Sequence, residues 1–163
     1  MNDPMTILKA DHREVRRMLT ALSESEEGRE REQMTSEVEK ALTLHMQIEE
    51  NILYPAVAEH VGADDEEEAE IEHGLARDGL TKMVGMVQQP GFGAVAQMLL
   101  GGIEHHVQEE EGEILPALKE ALPREEWLAL GDAIAQAKAD AGEPVPQPRP
   151  RRSQRRKSSS KRR

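Results

Sequence analysis

The sequence predicts an all-α protein: an up-down-up-down four-helix bundle with a short fifth helix and a disordered basic tail. Three observations point there. Ala, Leu, Glu and Met are abundant and β-branched residues few, a composition that favours helix. Apolar residues return at three- and four-residue intervals along four long stretches. Short breakers, "GADD", "QQPGFG" and "LPREEW", divide those stretches.

The first helix opens on the capping residue Asp3 with Pro4 behind it, and Ile7, Leu8, Val15, Met18, Leu19 and Leu22 line one face. The second spans about Arg29 to Val61, with Val38, Leu42, His45, Ile48, Glu49 and Ile52 on one broad side. The third covers about Asp65 to Val87, and the acidic run "DDEEEAE" suits the dipole at its start. The fourth runs from about Gly93 to Ala121, and a shorter fifth from about Pro123 to Ala141. Residues 1–141 thus form one bundle domain. In 142–163, "GEPVPQPRPRRSQRRKSSSKRR", alternating proline favours extended backbone, and the basic, serine-rich end has no apolar face to bury.

The 163 residues suffice for one domain with a sizeable core. Tyr54, Phe92 and Trp127 are its only aromatics, so that core must be aliphatic, with Met18, Met46, Met83, Met86 and Met98 as filler. No cysteine is present, which excludes disulfides, thiolate metal sites and a cysteine nucleophile. No stretch reads as a signal peptide or a membrane span, so a soluble, cytoplasmic protein is expected. The net charge of -11 hides a split: Arg149 to Arg163 holds nine Lys or Arg and no acid, leaving 12 bases against 32 acids before it. Such a tail can bind nucleic acid non-specifically through phosphates, or lie on its own acidic body.

The chemistry lies in an internal repeat. "HMQIEENILYP" (45–55) and "HVQEEEGEILP" (106–116) match at His, Gln, Glu, Glu and Pro with an offset of 61. The same offset takes His12 to His73, so each half reads histidine, a gap of 33, His-x-x-x-Glu, then Pro. Residues four apart share a helical face, so His45 can point with Glu49 and His106 with Glu110. If His12 and His73 face inward at the same level, four imidazoles and two carboxylates converge. That donor set suits Fe, Mn or Zn rather than Ca or Mg, and a carboxylate can bridge two cations. A lone His-x-x-x-Glu is more often a surface ion pair, but burying all six groups without metal is expensive. A ferritin-type carboxylate site wants Glu-x-x-His twice, and here only Glu70 and His73 have that spacing.

Several neighbours carry structural expectations instead. His105 adjoins His106 and points elsewhere, to the surface. His60 falls near a helix end, where a cation is favourable. Tyr54 lies one turn beyond Glu49, where a redox or supporting role at the centre is the alternative, but Leu115 is its repeat mate, so core packing is expected. Glu50, Glu109 and Glu111 read as solvated, and Pro55 and Pro116 as kinks or ends of the helices carrying the motif.

The segments "DHREVRRML", "LHMQIEENILYP", "EIEH" and "HHVQEEEGEILPAL" resemble the hemerythrin-like, or HHE cation-binding, domain over roughly residues 3–140. The resemblance implies a non-haem di-iron centre in a four-helix bundle. His12 and His45 would hold one iron and His73 and His106 the other, with Glu49 and Glu110 bridging. Oxygen-carrying members have a fifth histidine where this chain has Arg77, and commonly an aspartate near Glu110 and Glu111. That departure argues against simple reversible O2 carriage. It favours binding or reaction with a small oxidant (O2, NO or peroxide), with catalase-like peroxide decomposition as one alternative. A nucleic-acid-associated protein with a vestigial metal site is another.

Overall fold

The computed structural model describes residues 2–145. The basic segment Arg149–Arg163, read above as a disordered tail, lies outside the described residues. Among these residues the chain is all helical, without strands. Helix α1 spans Pro4–Ser23, and the Asp3 carboxylate accepts a hydrogen bond from the Thr6 N–H at 2.9 Å, as the capping reading requires. Helices α2 (Arg29–Ile48) and α3 (Tyr54–His60) form one continuous run through a π-helical turn at Glu49–Leu53. After α4 (Ala63–Gly85) the pattern repeats: α5 (Phe92–Glu109), a π-turn at Glu110–Ile114, then α6 (Leu115–Ala121). Gly91 supplies the left-handed residue, at φ 90°, that ends the join into α5. Helix α7 spans Arg124–Asp140.

The two π-turns correct the proline expectation. Pro55 and Pro116 end nothing: each sits in the first turn of the following α-helix, where a missing N–H is tolerated. The widened turn before each proline is closed by the Tyr54 N–H donating to the Glu49 carbonyl, and the Leu115 N–H to the Glu110 carbonyl. Both turns start on a glutamate of the repeated motif.

Helix α1 packs on α2 and α5, and α4 packs on α5 and α2, so the four close into a ring with neighbours antiparallel. Aliphatic side chains fill the ring in two clusters. One contains Leu19, Val38, Met46, Met83 and Phe92, the other Leu8, Leu53, Tyr54, Leu115 and Trp127. Of the methionines expected inside, Met18, Met46 and Met83 are buried, Met86 is half-buried, and Met98 lies at the surface. Helix α7 lies against α1. It comes so close to the N-terminus that a Cβ at Gly131 would overlap the Asn2 carbonyl. No helix among the described residues is long and apolar enough to cross a membrane.

Candidate metal centre

The six residues of the repeat meet in the middle of the bundle, between the two apolar clusters. His12, His45, Glu49, His73, His106 and Glu110 are all buried, the two glutamates completely, at 0 % exposure. Helices α1 and α2 carry His12 and His45, whose Nε2 atoms lie 3.1 Å apart. Helices α4 and α5 carry His73 and His106, with Nε2 atoms 3.3 Å apart. Glu49 spans the two pairs: Oε1 lies 2.9 Å from His45 Nε2 and Oε2 lies 3.2 Å from His73 Nε2. Glu110 Oε2 lies 3.1 Å from His12 Nε2.

The outer nitrogens explain why the inner ones converge. His12 Nδ1 bonds Glu111 at 2.8 Å, His73 Nδ1 bonds Glu50 at 2.9 Å, and His106 Nδ1 bonds Glu72 at 2.7 Å. An ionised carboxylate only accepts, so each of these rings donates from Nδ1 and turns the lone pair of neutral Nε2 inward. His45 Nδ1 faces Asp11 at 3.7 Å, too far for a hydrogen bond. Glu50 and Glu111 are therefore not solvated charges; they fix two rings of the site. Arg77, where a fifth histidine was looked for, pairs with Glu50.

Lone pairs aimed at one another in a dry interior repel unless a proton or a cation sits between them. Without metal, protons serve. Burial lowers the His12 pKa, but Glu110 and Glu49 outweigh it and hold it well above its ordinary value. His45 is raised in the same way, Glu49 and then the nearby Asp11 overcoming burial, and His106 is pushed up to about 9. Burial raises the Glu49 pKa, yet the surrounding imidazoles, His45 foremost, hold it well below the usual carboxylate range. Apart from these imidazoles, no donor reaches an oxygen of Glu49 or Glu110 among the described residues. Buried carboxylates faced only by oriented imidazoles fit cations bound by nitrogen and oxygen. Three groups among the described residues satisfy the distances for an ion, and two of them are buried: His12, His45, Glu49 and Glu110, and Glu49, His73 and His106; the third, Glu72, His105 and Glu109, lies towards the surface.

The family model of the hemerythrin HHE cation binding domain matches residues 3–118. The chain belongs to that family. The match ends at residue 118, before α7. A protein from Nostoc sp. described as a DNA nickase is 26 % identical over 121 residues, covering 74 % of this chain and 34 % of the relative. The chain thus corresponds to about a third of that protein's length. No solved structure matches it significantly.

The remaining sequence expectations resolve individually. His105 is exposed, beside Glu72 and Glu109. His60 ends α3 as expected. Glu70 is exposed, so the ferritin-type spacing does not reach the centre. Tyr54 is fully buried in the core, and its hydroxyl also donates to His73 Nε2 at 3.0 Å. Burial and the nearby Glu49 and Glu110 push its pKa far up, so it stays a phenol in the metal-free protein. That contact matches the supporting role at the centre that the sequence left open beside core packing. Tyr54 follows Glu49 by five residues, about 140° round an ideal helix, and the extra residue of the π-turn returns it to the Glu49 face. Sequence reasoning also missed Asp11 and Glu72, although the offset of 61 relates them to each other and relates Glu50 to Glu111.

Proposed function

We propose that this hemerythrin-like bundle holds two non-haem iron ions and uses them to bind or react with a small oxidant: O2, NO or peroxide. His12 and His45 hold one ion and His73 and His106 the other, with Glu49 shared between them and Glu110 joining from the His12 side. The observation that carries this reading is the inward aim of four Nε2 atoms onto two buried carboxylates that lack any other partner. Bound iron supplies reversible one-electron chemistry and coordination positions for a small ligand. The protein's own groups do the rest. Glu50, Glu72 and Glu111 keep three imidazoles in the neutral, Nε2-free tautomer. The Tyr54 hydroxyl stands beside His73, where it could donate a hydrogen bond to a small ligand.

Size supports the ligand class. Between the four rings, and walled by Val15, Leu42, Met46, Ile103 and Val107, lies a cavity of about 10 Å³. That is near the lower limit for one water molecule, so an organic substrate has no room there and the ligand class is confined to the smallest molecules. Ile103, His73 and His106 also border a groove of about 370 Å³ between α4 and α5, which opens to solvent and offers the approach. The test is elemental analysis of the purified protein, then spectra before and after addition of NO or peroxide, with oxygen evolution followed for catalase-like turnover. Two irons per chain and a spectrum that responds to one of these oxidants are expected. One zinc per chain and no iron, even after anaerobic iron loading, would remove the reading.

A second reading concerns nucleic acid. Arg149–Arg163 carries nine positive charges on an otherwise acidic chain, and the Nostoc relative is described as a DNA nickase. Non-specific binding through phosphates follows, and it should fall steeply with salt and vanish when residues 149–163 are deleted. DNA retention that survives the deletion overturns it.

A further inference from the structure

Three of the four imidazoles are held by a hydrogen-bonded carboxylate and the fourth is not. The offset of 61 pairs His45 with His106 and Asp11 with Glu72, so Asp11 should hold His45 as Glu72 holds His106. Glu72 does so at 2.7 Å, whereas Asp11 stands 3.7 Å from His45 Nδ1, which has no hydrogen bond among the described residues. The difference has a visible cause. Lys138 of α7 donates to both oxygens of Asp11, at 2.7 and 2.8 Å. Lys138 is only 6 % exposed, an unusual place for an ammonium, and α7 has no counterpart in the repeat.

We propose that Lys138 is a positioning residue: by holding Asp11 off His45, it leaves one half of the centre with a looser imidazole than the other. A carboxylate on Nδ1 orients a histidine ligand and makes it more basic, and its loss typically weakens a metal site 10- to 100-fold. Two halves built from one repeat are thereby made unequal. On the reading above, in which His12 and His45 would hold one cation with Glu110 as a further donor, that position binds more weakly than it would with His45 held by Asp11. The position at His73 and His106 keeps both its carboxylates, Glu50 and Glu72. The contact comes from a helix beyond the residues that match the family.

Metal-free, full-length protein titrated with Co2+ alone, followed by its visible bands, should show a step that is lost in His45→Ala. Lys138→Met frees Asp11 to reach His45, so that step should tighten about ten-fold while the other stays unchanged. Lys138→Arg keeps the cation and should leave that step at its wild-type position. A Lys138→Met titration identical to the wild type overturns the proposal. Imidazole 15N spectra of the metal-free protein give a reading that needs no metal. The Nδ1 protons of His12, His73 and His106 should be protected and downfield, and that of His45 should exchange freely until Lys138 is replaced. A His45 proton already protected in the wild type overturns the proposal, even if Lys138→Met fails to fold. Failure to bind any Co2+ refutes the metal reading instead, and the spectra still decide what Lys138 does to His45.

Discussion

At the scale of single residues, register separates groups of equal charge. Glu109 and Glu110 are neighbours, yet Glu110 is wholly buried against His12 while Glu109 stays at the surface beside His105. Glu110→Ala should therefore remove bound iron or alter its spectrum sharply, and Glu109→Ala should do neither, as metal analysis of the two variants will show. A general electrostatic effect would treat them alike. His106→Ala and His105→Ala should split in the same way. If Glu109 and His105 prove the sensitive pair, the assignment of the inward face of α5 is wrong. Glu111 should fall between these extremes. Its carboxylate orients His12 without entering the centre, so Glu111→Gln should weaken iron binding by about ten-fold rather than abolish it.

At the scale of elements, α7 is tied to the bundle by the apolar packing of Trp127, Ile134 and Ala135 and by specific polar contacts. The Asn2 amide donates to Asp132, Trp127 Nε1 donates to Asp3 at 2.8 Å, and Lys138 reaches Asp11. Gly131 permits this docking because no Cβ intervenes between α7 and the Asn2 backbone. Gly131→Ala must push the two segments apart, and a destabilisation of about 1–3 kcal/mol is expected. Trp127 is the single tryptophan, so its fluorescence reports the displacement directly. Gly101, inside α5, has nothing within 4 Å of an added Cβ. Gly101→Ala should accordingly stabilise by about 0.5–1 kcal/mol through the helix interior alone. Urea midpoints of the two variants moving in the same direction would refute this account of α7.

At the scale of the whole molecule, the centre links metal, protons and folding. Metal that binds only the folded state adds to stability, so chelation should lower the melting temperature and re-addition should restore it. The pH dependence of the two forms should have opposite sign. In the metal-free protein the His106 pKa is raised from 6.5 to about 9, so the folded state holds the proton more tightly than the unfolded chain. That contribution is complete below about 6.5 and is lost as pH rises through about 9. Metal requires neutral imidazole, so the loaded protein instead gains as its histidines deprotonate. Denaturation midpoints of both forms, measured from neutrality to above pH 9, check this, and parallel curves would exclude the linkage.

Much of this molecule was legible in its sequence. The helical class, the bundle and the six converging residues follow from periods of 3.6 and 61, because helical phase is a local property and a duplicated segment repeats its geometry. The cap at Asp3 was legible for the same reason, since a cap joins residues three apart. What escaped depends on contacts between distant segments or on a break in helical phase. Glu50 and Glu111 look like ordinary surface charges until a facing helix brings His73 and His12 against them. Tyr54 reads as one turn beyond Glu49, but its hydrogen bond to His73 depends on a facing helix. Lys138 lies 127 residues from Asp11, outside the repeat, and only the docking of α7 joins them. The sequence by itself determined which groups share a helical face; tertiary packing decided which of them a second helix would hold, and so made the two equal halves of the chain chemically unequal.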